Sequence, residues 1–405
     1  MEFAVEIPYG AYWSTPFARW QGSLSHLHSL KFAAHVAKRE LARRDIDPQV
    51  FDFGVLGTTR PERGSFYGLP WLMGLAGAGH VGGPTVSQAC STSVRAVQTA
   101  VQEVDAGMAN CALAVTCDRT SNGPHIYYPE PGAPGGTGAS EDFIMDNMYC
   151  DPLGNHSMTQ TAENVAAKHK ISTEEQHDVL LRREQQYADA QADDCAFQRR
   201  YMSLPFAVPD ARFRKEKTAL DGDEGVRLST PESLAKLEPV IPGGTVTFGG
   251  QTHPADGNAA MIVAQPGVAA EMSRDPRIRI HIIGFGLARA ALAYMPEATI
   301  DAASKALQFA DVSLKKVDAI KTHNPFALND IVFARETGTD LKQMNNYGCS
   351  LVWGHPNAPT GLRSTIELIE ELVLRGGGTG LFAGCAAGDT AMAILVRVGD
   401  GIGLD

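Results

Sequence analysis

Two stretches of this chain, 266 positions apart, carry the same pattern, and no other feature limits its possible folds so strongly. Asp45-Ile46-Asp47-Pro48-Gln49-Val50-Phe51-Asp52 follows a helical stretch and leads into the apolar run Phe53 to Leu56. Asp311-Val312-Ser313-Leu314-Lys315-Lys316-Val317-Asp318 follows another helix and leads into Ala319 and Ile320. A second match keeps the order. Ser93-Val94-Arg95 opens a helical pattern that ends near Gly107, ahead of a buried strand at Ala112 to Thr116. Gly361-Leu362-Arg363 opens another, ending at Gly376-Gly377-Gly378 ahead of a strand at Leu381 to Ala383, a shift of 268. Two matched units in one order at nearly one offset indicate a duplicated lobe. Each copy alternates helix with short apolar strand, which predicts an α/β fold of largely parallel sheets faced by helices.

In such sheets, sites form beyond the carboxyl ends of strands, at the seam. Three reactive side chains fall at such ends. Cys90 lies in V-S-Q-A-C-S-T-S-V-R, where an apolar run turns into a helix. His355 follows Cys349 to Trp353, which reads as a strand, and Cys385 follows the strand at Leu381. A cysteine among small residues packs like a small hydrophobe. At a helix N-terminus, however, the dipole favours the thiolate and hence a nucleophile. Equivalent placement of three such groups in related lobes favours the second reading. Cys111, Cys117, Cys150, Cys195 and Cys349 read as core or surface thiols.

The remaining sequence bounds the function. Residues 122–155 are rich in Pro and Gly and read as an extended loop. Residues 159–190 read as polar amphipathic helices, with Ser172-Thr173-Glu174-Glu175 as a helix start. With a net charge of −11, the chain is a poor general binder of nucleic acid or acidic membrane, so an anionic ligand needs a local basic patch. Arg212, Arg214, Lys215 and Lys217, followed by Arg227, form one candidate for meeting phosphates. No G-x-x-x-x-G-K-[ST] or G-x-G-x-x-G pattern is present. The seven cysteines form no C-x-x-C pair, which implies a reducing, cytoplasmic setting and no metal site. The N-terminus shows no secretory signal, and the most apolar window, 68–86, is too broken by Gly and Pro to span a membrane.

Four ordered blocks resemble the thiolases across nearly the whole chain. S-Q-A-C-S-T-S at Cys90 is similar to the family's nucleophile segment, and T-V-T-F-G-G-Q-T-H-P-A-D-G-N-A-A at 245–260 to its T-V-T-A-G-N-x-S-x-x-N-D-G-A-A. G-H-P-N-A-P-T-G-L-R at 354–363 resembles G-H-P-x-G-A-S/T-G-x-R, and G-C-A-A-G-D at Cys385 resembles C-x-G-G-G. Thr161-Ala162-Glu163-Asn164 adds a weaker match. The resemblance implies a five-layered α/β/α/β/α duplication with an inserted loop domain. The expected limits are 1–118 for the first part of the N-terminal lobe, 119–248 for the insertion, 249–270 for the returning strand and 271–405 for the C-terminal lobe.

By this resemblance Cys90 is the acyl-accepting nucleophile, His355 its base and Cys385 the general acid/base for the carbon acid or the CoA thiol. One oxyanion hole uses the G-H-P histidine and a water held by the block His323-Asn324-Pro325-Phe326; the other uses backbone N–H groups of Cys90 and Ala387, in the turn that includes Gly388. Met158 stands in the segment similar to the family's H-M-G, here Ser157-Met158-Thr159. Arg227, Ser233 and Thr252 fall near positions that contact CoA in the family. Coenzyme A is then a co-substrate, with no permanently bound cofactor, and the implied partners are acyl-CoA and CoA. A homodimer or tetramer is expected, with a small zinc-ribbon/OB-fold subunit as a further partner. The departures, at Asn324-Pro325, 157–159, Ala358-Pro359, Ala387 and Asp389, line the pocket and imply a changed acyl substrate, aryl or branched, such as benzoylsuccinyl-CoA. Two alternatives stand beside this reading: a decarboxylating ketoacyl synthase, which lacks the second cysteine, and a non-catalytic thiolase-like scaffold.

Overall fold

The computed structural model describes residues 3–399. Its first sheet runs in the order Tyr12–Ser14, Ala255–Ala264, Cys111–Arg119, Phe53–Gly57, Thr85–Val86, with Ala18–Arg19 also pairing to Ala255–Ala264. The second runs Ile280–Arg289, Thr390–Val398, Gly378–Ala386, Ala319–His323. The duplication is visible in the register. Gly57 pairs with Thr116 in the first sheet and His323 with Gly384 in the second, which reproduces the 266- and 268-residue shifts of the sequence.

The expected largely parallel sheets are in fact mixed. Phe53–Gly57 and Ala319–His323 pair in parallel with their inner neighbours, but Ala255–Ala264 and Thr390–Val398 return antiparallel through the middle of each sheet. These return strands follow their partners without the long crossover a parallel connection needs, or come back from a long insertion. A second correction concerns 349–353. Where the first copy has the short strand Thr85–Val86, the second has a helical turn at Ser350–Trp353. Asn324 Oδ1 accepts the Leu351 N–H and the Ser350 hydroxyl, so a side chain satisfies this segment in place of a strand neighbour. The loop expected at 122–155 contains a hairpin, His125–Tyr128 with Ala139–Asp142, and the short helix Met145–Tyr149. The capping box at Ser172 is present and opens the helix Thr173–Cys195.

Helices Thr92–Asp105 and Thr360–Leu374 pack on each other between the sheets, Ser29–Arg43 and Gly68–Ala76 cover the outer face of the first, and Ala298–Ala310 that of the second, giving five layers. The helix Thr360–Leu374 is buried from Thr360 to Leu372 despite four charges, because each is partnered. Arg363 meets Asp223 at 2.5 Å and Glu367 at 3.0 Å, Lys321 meets Glu367 at 3.1 Å, Arg200 meets Glu370 at 2.6 Å, and Arg375 meets Glu371 at 2.7 Å. Gly361 permits the crossing of the two central helices, since a Cβ there would stand 3.2 Å from Ser93 and Phe382. Among the described residues, no helix is long and apolar enough to cross a membrane.

Candidate active site

The crossing of the central helices places both of their N-termini at one point on the seam, with the Ser93 hydroxyl donating to the Ala358 carbonyl. Cys90 lies two residues ahead of the helix Thr92–Asp105, in an elbow where Ala89 takes φ +43° and the Thr92 hydroxyl donates to the Ala89 carbonyl at 2.6 Å. His355 lies ahead of the other helix. Its Nε2 stands 3.1 Å from Cys90 Sγ, and its Nδ1 is 2.6 Å from the Thr360 hydroxyl. Cys385, fully buried at the end of its strand, accepts from Asn329 Nδ2 at 3.3 Å. Its loop joins that of Cys90 through the Ser91 hydroxyl, which donates to the Gly384 carbonyl at 3.2 Å. The backbone N–H groups of Ala387 and Cys90 both approach Cys90 Sγ. Gly388, at φ +78°, turns the chain from Ala387 into the next strand, and Met158 packs in the same apolar cluster as Cys385.

A buried polar chain sets the His323 tautomer. Arg183 meets Asp330 at 2.8 Å, and Asp330 accepts from Asn324 Nδ2 at 2.8 Å. That orients the Asn324 amide, so its Oδ1 receives the Ser350 hydroxyl proton at 3.1 Å. Ser350 Oγ must then accept from His323 Nδ1–H, 2.8 Å away. His323 Nε2 therefore carries a bare lone pair, buried and without a hydrogen-bond partner among the described residues. Asn324 spends its own groups on Asp330, Cys349, Ser350 and Leu351, and reaches His323 through Ser350.

Burial controls the protons here. It pushes the Cys90 thiol up to about 11, with the Ala387 N–H and Arg60 pulling the other way. Burial, then the neighbouring His323 and Arg60, hold the His355 imidazolium well below its usual range, and burial takes His323 down to about 3. Burial and the nearby Cys90 raise the Cys385 thiol. Each shift favours the neutral form of its group, thiol for Cys90 and Cys385 and imidazole for His323 and His355. Cys90 Sγ and one nitrogen from each of His323 and His355 lie within 4.8 Å of one another, close enough to ligate a thiophilic cation. Such an ion would compete with acylation for the same sulfur.

A groove of about 630 Å³ lies nearby. Arg227 and Ser233 line it, together with the apolar Leu228, Leu237 and Phe248 and with Gln251 and His253. Thr252 lies between those two, but its hydroxyl donates to the Ser350 carbonyl at 2.5 Å. His253 accepts the His355 N–H at 2.9 Å, so the groove abuts the catalytic candidates. Arg212, Arg214, Lys215 and Lys217 are absent from its lining; their loop wraps Asp210, whose carboxylate accepts backbone N–H groups of Arg212, Arg214 and Lys215. Motif reading missed Asn329, Ser350 and Arg60, whose side-chain contacts no local pattern announces, and did not single out Asn357 and Thr360 within the block at 354–363.

Family models for the thiolase N-terminal and C-terminal domains match residues 11–266 and 277–398. The human mitochondrial 3-ketoacyl-CoA thiolase is 27% identical over 395 residues, covering 95% of this chain and 96% of that protein. An acetyl-CoA acetyltransferase of Escherichia coli (strain K12) is 28% identical over 389 residues, covering 95% and 96%. Among solved structures, the Bacillus anthracis acetyl-CoA acetyltransferase superposes with a TM-score of 0.88 at 25% identity, covering 98% of this chain and 99% of that one. The human mitochondrial 3-ketoacyl-CoA thiolase in complex with CoA gives 0.87 at 25% identity, with the same coverage.

Proposed function

The chain belongs to the thiolase family, and on that premise we propose that it is an acyltransferase that cleaves a 3-oxoacyl-CoA with coenzyme A, or runs the reverse Claisen condensation, through an acyl-Cys90 intermediate. The observation that carries the reading is the 3.1 Å approach of His355 Nε2 to Cys90 Sγ at the joined helix N-termini, with Cys385 alongside. Cys90 Sγ attacks the C3 carbonyl as His355 Nε2 takes its proton. The C2–C3 bond breaks, its electron pair moves to C2, and Cys385 supplies the proton that C2 needs. The incoming CoA thiol then gives a proton to the Cys385 thiolate, its sulfur takes the acyl group, and Cys90 leaves, retaking its proton from the His355 imidazolium. The His355 imidazolium and the His323 lone pair suit one carbonyl oxygen, directly and through an oriented water; the Cys90 and Ala387 N–H groups suit the other.

Arg227 and Ser233 in the groove, with Thr252 beside it, support binding of coenzyme A there as co-substrate. The departures at 157–159, Asn324-Pro325, Ala358-Pro359 and Ala387 support an aryl or branched acyl group such as that of benzoylsuccinyl-CoA. The family also supports a homodimer or tetramer, and association with a small zinc-ribbon/OB-fold subunit, both open to mass measurement in solution. Cys385 beside the nucleophile counts against a decarboxylating synthase. Incubation with CoA and a panel of 3-oxoacyl-CoA thioesters, followed by loss of enolate absorbance, tests the activity. We expect turnover that Cys90→Ala reduces to background; an undiminished rate in that variant overturns the assignment.

A further inference from the structure

A charge sits beside the nucleophile that the chemistry above does not use. Arg60, three residues past the strand Phe53–Gly57, is 5% exposed. The carboxylate nearest to it, Asp118, stands 3.8 Å away, too far for a hydrogen bond. Asp118 is already committed to four donors: the Thr58 hydroxyl, the Thr59 N–H and hydroxyl, and the Ala358 N–H, at 2.7 to 2.9 Å. Of its five N–H donors, Arg60 spends one on Asn357 Oδ1 at 3.0 Å and one on the Pro356 carbonyl at 3.5 Å. Asp118 balances the charge, and three of the guanidinium N–H donors make no hydrogen bond among the described residues. Asn357, 6% exposed, is held at φ +67°, which asparagine tolerates better than most residues. That conformation sets its amide between the two groups, with Nδ2 3.9 Å from Cys90 Sγ. The positive field of Arg60 reaches both Cys90 and His355.

We propose that Arg60 and Asn357 form an anion-reading subsite beside Cys90, and that the 3-oxoacyl substrate carries a second carboxylate a few bonds from the carbonyl that Cys90 attacks. The inference rests on the thiolase reading and adds a substrate class to it. An apolar acyl chain lying against Arg60 would exclude water from the guanidinium and return nothing. A carboxylate would take the unspent donors in a fork-to-fork pair. One asparagine side chain separates the guanidinium from the nucleophilic sulfur, so the carboxylate belongs to the acyl unit and not to the CoA end, which the groove at Arg227 serves.

The test compares two substrates of equal chain length, 3-oxoadipyl-CoA and 3-oxohexanoyl-CoA, by their kcat/KM in thiolysis. The wild type should favour the dicarboxylic substrate by roughly 10- to 100-fold, the worth of one charged hydrogen-bonded contact. In Arg60→Met that ratio should collapse by the same factor. Asn357→Gly, which keeps the backbone conformation, should lower it by less and guards against a misfolded first variant. A wild-type ratio near one, or an equal fall on both substrates in Arg60→Met, overturns the proposal and makes Arg60 a support for the 356–358 loop. Turnover of no 3-oxoacyl-CoA by the wild type overturns the thiolase reading itself, and this outcome is distinct from the others.

Discussion

Cys117 and Cys385 occupy the same place in the two halves of the duplication, 268 residues apart on equivalent strands. Both are fully buried, and burial raises both thiols. Their neighbours differ. Around Cys117 stand Asp118 and Glu62, which oppose a thiolate, with only Ser29 to favour it. Around Cys385 the Asn329 amide favours a thiolate, while Cys90 and Asp330 oppose it. The strand delivers a buried sulfur in either case; only in the second half does that sulfur have Cys90 as a neighbour. The same contrast extends to the segments beyond the strands. In the first half the chain after Gly57 runs through exposed Phe66 and Tyr67 before it reaches Cys90. In the second, the chain after His323 is tied down by the Arg183–Asp330–Asn324–Ser350 series. One half presents Cys90, and the other ties down the segment that carries His323.

The sharpest break of this comparison is between the two cysteines themselves. Cys385→Ala should lower kcat by about 10²- to 10⁴-fold, the range for loss of a positioned general acid. Cys117→Ala should leave the rate in place and cost about 1 kcal/mol in denaturant unfolding. Next in size, Arg183→Met leaves Asp330 buried without its cation and should destabilise the fold by about 3–5 kcal/mol, read from the urea midpoint.

The third effect is a pH dependence. In the unfolded chain His323 takes a proton near its ordinary pKa of about 6.5, whereas burial holds it neutral in the fold down to about 3. Between these values the unfolded state binds the extra proton, so stability is lost as pH falls, by about 1.4 kcal/mol per unit for this one group. His323→Asn should flatten the acid limb of the stability profile by that slope; an unchanged limb would show that the imidazole titrates normally. The smallest effect belongs to the Cys90 elbow. Ala89→Gly should relieve the φ +43° backbone and raise stability by about 0.5–1 kcal/mol in thermal unfolding.

The repeated helix and strand signals at 45–56 and 311–320 made the two-lobed plan legible, and the small-residue elbow at Cys90 marked the cysteine that stands 3.1 Å from His355. The short apolar run 349–353 misled because five residues carry too little periodicity to separate a strand from a helical turn. The mixed sheets were illegible for a different reason: no local signal shows that Ala255–Ala264 and Thr390–Val398 insert antiparallel beside strands made earlier. Arg60 gave no warning either, since its partners Asn357 and Pro356 are nearly 300 residues away and belong to no motif with it.

The position of Ala255–Ala264 bears on how the protein is made. It lies between Tyr12–Ser14 and Cys111–Arg119, yet it emerges from the ribosome last of the three. Until then the nascent chain holds two unpaired strand edges, a template for wrong partners. The helix Thr360–Leu374, enclosed by both lobes, arrives later still. Neither half can close its core alone, so a truncated or stalled translation product should depend on chaperones in a way the finished protein does not.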